Sequence, residues 1–196
     1  MAPIDWHKRY EERDTPWDLG SAHPDLAARI ARGELRPARG RERALVPGCG
    51  RGHDALALAR AGYRVTALDL VDATGGALGR ELAALDSELL IGDALAHRAA
   101  VPYDLVFEHT FFCALDPRLR PAWGELVEHA LAPEGRLCAL VFPVGKPESE
   151  GGPPFGTLTS HLAAVLPKLR LSKDEPVGRS AEKRAWPERW AEFVRA

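Results

Sequence analysis

From Arg43 onward, short apolar runs of strand length alternate with longer stretches whose apolar residues recur at helical spacing. Ala44-Leu45-Val46 predicts a first strand running into the glycine cluster Pro47-Gly-Cys-Gly-Arg-Gly52. His53 to Ala61 predicts a helix rich in strong helix formers, with Gly62 placed as its C-terminal cap. Arg64 to Leu68 predicts a second strand ending at Asp69, Ala77 to Leu85 a helix, and Leu89-Leu90-Ile91 a third strand ending in Gly92-Asp93. Tyr103 to Phe107 follows as a fourth strand, Pro121 to Leu131 as a helix and Arg136 to Phe142 as a fifth strand. His161 to Leu166 reads as a helix, and the tail from Leu169 to Ala196 as two short closing strands.

Strands alternating with helices at this spacing imply an α/β fold, a doubly wound Rossmann-like sheet built through right-handed crossovers. Residues 1–196 read as one domain, with residues 1–40 an amino-terminal arm and 41–196 the core. The segment Pro143–Gly156 is rich in Pro and Gly and too long for a simple connection, the kind of loop that more often carries function.

Composition narrows the partners. At 196 residues the chain can bury about 70% of its unfolded surface without staples. A formal charge of −2 with interspersed charges gives no basic stripe, which argues against nucleic acid. No apolar run approaches the ~20 residues that span a bilayer, and the first residues are charged, so no membrane partner and a cytoplasmic location are expected. Cys49, Cys113 and Cys138 are far apart and lack zinc-site spacing; they read as small apolar or loop residues in a reducing compartment, with no metal expected. A monomer or weak homodimer is the expected state.

In open α/β sheets, ligands bind beyond the carboxyl ends of the central strands. There the chain carries Gly48-Cys49-Gly50, then Asp69-Leu70, then Asp93-Ala94, then Glu108-His109. The glycines allow either close backbone approach to a ligand or a tight turn. Asp69, seventeen residues past Gly52, is placed to accept both hydroxyls of a ribose, or to cap a helix. Asp93-Ala94 suits an adenine edge, or a plain turn. The loop reads GxGxG, with His53 where a dinucleotide fingerprint would have its third glycine, so a phosphate-free nucleoside cofactor fits better than a nicotinamide dinucleotide.

Several segments resemble one family. Trp6-His-Lys-Arg-Tyr10 and Thr15-Pro-Trp17-Asp-Leu-Gly20 look like the amino-terminal signature of the thiopurine methyltransferase superfamily. Leu45-Val-Pro-Gly-Cys-Gly-Arg-Gly-His-Asp54, Phe111-Phe-Cys-Ala-Leu115, Arg120-Pro-Ala-Trp123 and Gly151-Gly-Pro-Pro-Phe155 resemble its thiol and halide branch, whose plant members are called harmless-to-ozone-layer proteins. The resemblance implies an S-adenosylmethionine-dependent methyltransferase with a mostly parallel sheet, an antiparallel C-terminal strand and a cofactor-covering arm. Its acceptor would be a thiol, thiocyanate, bisulfide or halide. Trp6, Tyr10 and Trp17 match cofactor-contacting aromatics, and Gly48, Asp69, Asp93, Ala94 and Glu108 match positions on the first four strand-end loops, with Glu108 near the cofactor's amino group. The chain departs from the plant branch at Lys146–Glu150, where an Asp-His pair is usual, at Phe155, often Tyr, and at Tyr10, often Trp.

Trp6 and Tyr10, four apart, share a helix face and with Trp17 form either a lid over a sulfonium cation or an anchor for the arm. Phe111, Phe112 and Phe155 are candidate walls of an acceptor pocket, with core packing the favoured reading for either of the first two taken singly. His109 either orients the acceptor or lowers a thiol pKa, or is a hydrogen-bonded loop residue. Methyl transfer from a sulfonium demands no general base, and none stands out along the chain. The competing readings are an O- or N-methyltransferase of a small natural product and a cofactor-binding protein without catalysis.

Overall fold

The computed structural model describes residues 4–182 and 184–196. The chain begins with α1 (Trp6–Glu11) and α2 (Pro24–Ala31), then enters the alternating pattern. This runs β1 (Arg43–Pro47), α3 (His53–Arg60), β2 (Arg64–Asp69), α4 (Ala77–Ala84), β3 (Glu88–Ile91) and β4 (Tyr103–His109). It continues α5 (Arg120–Ala130), β5 (Leu131–Val141), α6 (Thr159–Ala164), β6 (Leu169–Pro176) and β7 (Arg189–Arg195).

The seven strands form one sheet in the order β3-β2-β1-β4-β5-β7-β6. β1 pairs in parallel with both β2 and β4, so the strand order reverses beside it. Only β7 runs against the rest, antiparallel to β5 and β6, as the family resemblance implied. The centres of β1 (Ala44–Val46) and β4 (Leu105–Phe107) are apolar and buried because both faces of the sheet are covered. One face packs Trp123, Leu126 and Val127 of α5, the other Leu26 of α2 and Ala55 and Leu58 of α3.

Two expectations change. β5 begins at Leu131, not Arg136, because Tyr103↔Leu131 pairs before a bulge and the regular register resumes at Leu105↔Arg136. The arm of residues 1–40 divides in two. Ile4, Trp6, Tyr10, Trp17 and Ser21 border the cleft described below, whereas α2 belongs to the core. Its buried Arg29 is held by Asp25 at 2.8 Å and Glu175 at 2.6 Å and stacks 4.1 Å from the Trp190 ring. Sequence patterning missed α2 because its apolar face is short and interrupted by that buried charge cluster.

α5 lies close to the end of α6, and Gly124 makes the approach possible: a Cβ there would collide with the Val165 carbonyl. Gly124→Ala should therefore cost about 1–3 kcal/mol of stability, even though alanine is the better helix former by ~1 kcal/mol. Urea denaturation measures it.

Candidate active site

The carboxyl ends of β1 to β4 open into a cleft of about 1010 Å³. Its floor is the β1–α3 loop. Gly48 has φ +62, and a Cβ on it would fall 2.6 Å from the Phe111 ring, so both conformation and packing require glycine. Gly50 lies under the Tyr10 hydroxyl, where a Cβ would come within 3.1 Å of that oxygen. Asp69 ties the loop to β2: Gly50 N–H donates to Oδ2 at 2.7 Å, and Val71 N–H to Oδ1 at 3.2 Å. Burial pushes the Asp69 carboxyl above its ordinary value, and these amide bonds only partly counter it. Each carboxylate oxygen keeps acceptor capacity beyond one amide bond. Cys49, Leu70, Asp93 and Ala94 also line the cleft, and Asp93 turns the chain by accepting the Leu95 amide at 2.9 Å.

Asp5 caps α1 by accepting the Lys8 amide at 3.0 Å, and the helix then presents Trp6 and Tyr10 to Trp17. Both rings meet Trp17 edge-on, with centroids 5.5 and 5.8 Å away. All three line the cleft, and Asp18 pins the arm across it through Arg51 at 3.0 Å and His53 at 3.2 Å. His53, in place of a third glycine, lies beside the same carboxylate. Burial raises the Tyr10 pKa, so its hydroxyl stays neutral above the loop.

Glu108 is a correction. It is 2% exposed and does not line the cleft. Its carboxylate turns away from the expected cofactor amino group and accepts the Phe111 and Phe112 amides at 2.9 and 2.8 Å and Trp123 Nε1–H at 3.3 Å. Strand alternation sends its side chain behind the sheet, where it shapes the loop that lays Phe111 over Gly48. Phe111 and Phe155 line the cleft, while Phe112 packs on Trp123 with ring centroids 4.7 Å apart.

The second correction concerns acid–base chemistry, because the fold assembles a group that no spacing in the chain announces. His109 Nδ1 lies 2.7 Å from Asp54 Oδ2, and Arg184 donates to His109 Nε2 at 2.9 Å. Asp54 Oδ1 accepts the His23 amide at 2.8 Å, and the His23 ring reaches Glu188 at 3.1 Å. Arg184 returns to Glu188 at 3.2 Å, closing a ring of five residues that passes through the His23 backbone amide; Asp54, His109 and Arg184 line the cleft. Burial pushes Asp54 up, but the imidazole and the hydrogen bonds it receives more than offset this and leave it below the usual carboxylate range. Burial likewise lowers Arg184, with Glu188 opposing. His23, His109 and Glu188 bring donor atoms within 4.8 Å of one another, a spacing that suits a metal, but the Arg184 guanidinium already bridges His109 and Glu188 as the local cation. His23 and Glu188 are 165 residues apart, so only the fold could reveal the pair.

A doubly wound sheet with a glycine loop, carboxylates at the tips of β2 and β3, and aromatics folded across them defines an S-adenosylmethionine-dependent methyltransferase of class I. The chain belongs to the thiopurine S-methyltransferase family, whose profile matches residues 1–192. It is 36% identical over 165 residues to a probable thiol methyltransferase 2 of Arabidopsis thaliana, covering 82% of this chain and 70% of that one. Thiocyanate methyltransferase 1 of the same plant is 34% identical with the same coverage. Among solved structures, 1,6-didemethyltoxoflavin-N1-methyltransferase of Burkholderia thailandensis superposes with a TM-score of 0.77 at 17% identity, over 100% of this chain and 93% of that one.

Burial pushes Glu108 from its ordinary 4.5 to about 7, with the two amides and Trp123 opposing. The folded protein thus pays for ionising a group that the unfolded chain ionises freely. That penalty is absent below about pH 4.5, grows as pH rises, and is complete above about pH 7. Relative to the native chain, Glu108→Gln should gain on the order of 3 kcal/mol of stability between about pH 4 and about pH 8. Denaturant melts of both proteins at the two pH values give the double difference.

Proposed function

We propose that this chain methylates a small soft nucleophile, namely a thiol, thiocyanate, bisulfide or halide, by in-line displacement. The observation that carries this reading is the wall of the cleft around His109 and Arg184, built from Phe142, Cys113 and Phe155. Phe142 stacks on the Arg184 guanidinium at 4.2 Å, and the Phe155 amide is tied to the Cys113 carbonyl at 2.7 Å. Such a wall strips water from a small acceptor and leaves one cation beside it. The 36% identical thiol methyltransferase and 34% identical thiocyanate methyltransferase support the same class of acceptor.

The residues suit the cofactor. Gly48 and Gly50 leave a cradle that a Cβ would fill, Asp69 offers acceptors to the ribose hydroxyls, and Asp93-Ala94 borders the adenine. Trp6, Tyr10 and Trp17 present aromatic surface to a cation, each face contributing roughly 0.5–2 kcal/mol. When bound, S-adenosylmethionine supplies a methyl group on a positively charged sulfur, a leaving group that needs no further activation. The chain's task is to hold the acceptor in line and dry; holding reactants about 3–3.5 Å apart can remove ~7–11 kcal/mol of the barrier. No helix among the described residues is long and apolar enough to cross a membrane. A cytoplasmic monomer or weak homodimer, with no nucleic-acid partner, completes the proposal.

Two measurements test this. Purified protein given S-adenosylmethionine with iodide, thiocyanate or bisulfide should release methyl iodide, methyl thiocyanate or methanethiol into the headspace. Absence of all three, together with no methylation of a thiol panel, rejects the acceptor class. Asp69→Ala should weaken binding of S-adenosylhomocysteine by about 1.5–3 kcal/mol in calorimetry, the worth of hydrogen bonds to a charged group. Unaltered affinity removes Asp69 from the ribose site.

A further inference from the structure

We propose that Asp54 and His109 form a general-base dyad that takes the proton from a neutral thiol, so that thiols are methylated at pH values below their own ionisation. This rests on the thiol reading above and specifies which form of the acceptor the site uses.

The hydrogen bonds fix the tautomer. A guanidinium can only donate, so His109 Nε2, 2.9 Å from Arg184, carries its lone pair, and the ring proton sits on Nδ1 facing Asp54 at 2.7 Å. This is the protonation state of a base that lines the cleft, with its basic nitrogen under Arg184 and its other nitrogen braced by a carboxylate. Asp54 cannot swing away, because the His23 amide holds its second oxygen. It stands in the first turn of α3, immediately after the glycine loop, so the carboxylate that braces the base is continuous with the cofactor floor.

The groups around the imidazole suit a transient positive charge. α3 contributes Asp54, and the approach to β7 contributes Arg184 and Glu188, with Arg184 side chain 5% and Glu188 side chain 0% exposed. The segment before α2 contributes His23, its ring centroid 5.1 Å away and its nitrogens engaged by Glu188 and the Asp25 amide. The loop after β4 contributes Cys113, whose thiol burial pushes up to about 12, so it stays neutral. Two carboxylates, Asp54 and Glu188, thus stand beside a single guanidinium there. Cys113 already holds its own proton and so takes none from an entering thiol.

The step balances as follows. An entering thiol displaces the Arg184 N–H from Nε2, and its proton passes to that nitrogen. The sulfur lone pair forms the new bond to the methyl carbon, and the old carbon–sulfur bond breaks with its electron pair returning to the cofactor sulfur. The unit of positive charge lost by the sulfonium reappears on the imidazolium beside Asp54, and release of the proton to water restores the base. Arg184, still beside Glu188, faces the sulfur while negative charge develops on it. Iodide and thiocyanate carry no proton, so they report on the same cleft without using the dyad.

The experiment compares an aliphatic thiol with iodide as acceptors for the native protein and for His109→Asn. Asparagine keeps an N–H toward Asp54 and removes only the basic nitrogen. Near neutral pH the ratio of thiol to iodide turnover should fall about 100-fold or more, the usual worth of a positioned base, and should recover as pH approaches the thiol's own ionisation. Equal losses on both acceptors at every pH overturn the dyad and leave the methyltransferase reading standing; methylation of neither acceptor by the native protein removes that reading itself. A second readout needs no turnover. An aromatic thiol bound to the native protein without methyl donor, below its solution pKa, should show the ultraviolet absorbance of its thiolate, and bound to Asp54→Asn it should not; identical spectra overturn the proposal. Should the variants fail to fold, the native pH profile decides. A thiol rate that levels off well below the thiol's pKa supports the dyad, and one that climbs about tenfold per pH unit up to that pKa overturns it.

Discussion

Parallel pairing of β1 with β2 on one side and β4 on the other is the constraint on which the site depends. In a parallel ladder every strand ends at the same edge, so loops far apart in sequence are delivered to one crevice. The register Val46↔Ala67 and Ala67↔Leu89 brings the glycine loop, Asp69 and the turn at Asp93 level with one another. Apolar burial on both faces holds that register without help from the loops. The loops can therefore adopt left-handed glycines and direct polar groups into the cleft.

A second polar framework is buried beside the first. Asp54, His109, Arg184, Glu188 and His23 come from four separate stretches of chain, yet each meets a partner of complementary charge or hydrogen-bonding sense. Isolated ions in such a place would be costly, and removing one member of a buried pair leaves the other uncompensated, typically at 3–5 kcal/mol. The ring also joins the start of α3, the end of β4 and the approach to β7, so it fixes the geometry of the cleft wall. The Arg29 cluster under Trp190 shows what such a network does away from the cleft: it docks α2 on the sheet and does not line the site.

Residues at strand tips were legible where backbone and side chain pointed the same way. Gly48, Gly50, Asp69, Asp93 and Ala94 all reach the cleft, because each follows directly from a strand end in a βα rhythm. Glu108 did not, although it also stands near a strand end. Alternation along β4 places it opposite His109, so one of the two had to face away, and nothing in the local pattern said which. Phe111 and Phe112 present the same ambiguity, resolved when Glu108 captured both their amides. Asp54 was visible only as part of a motif, since a carboxylate in a first helical turn ordinarily needs no partner beyond the helix itself.

Hydrophobic periodicity, glycine placement and the spacing of carboxylates determined by themselves the succession of strands and helices in the first half, the crevice and the residues at its floor. These are short-range properties: each strand reads its own apolar run, and each tip follows its own strand. Tertiary structure alone decided which face Glu108 presents, that α2 belongs to the core, and that His109 meets Asp54 and Arg184 across separations of 55 and 75 residues. Hydrogen bonds between distant side chains leave no period in a sequence, because they depend on the relative placement of elements that only the closed sheet brings together.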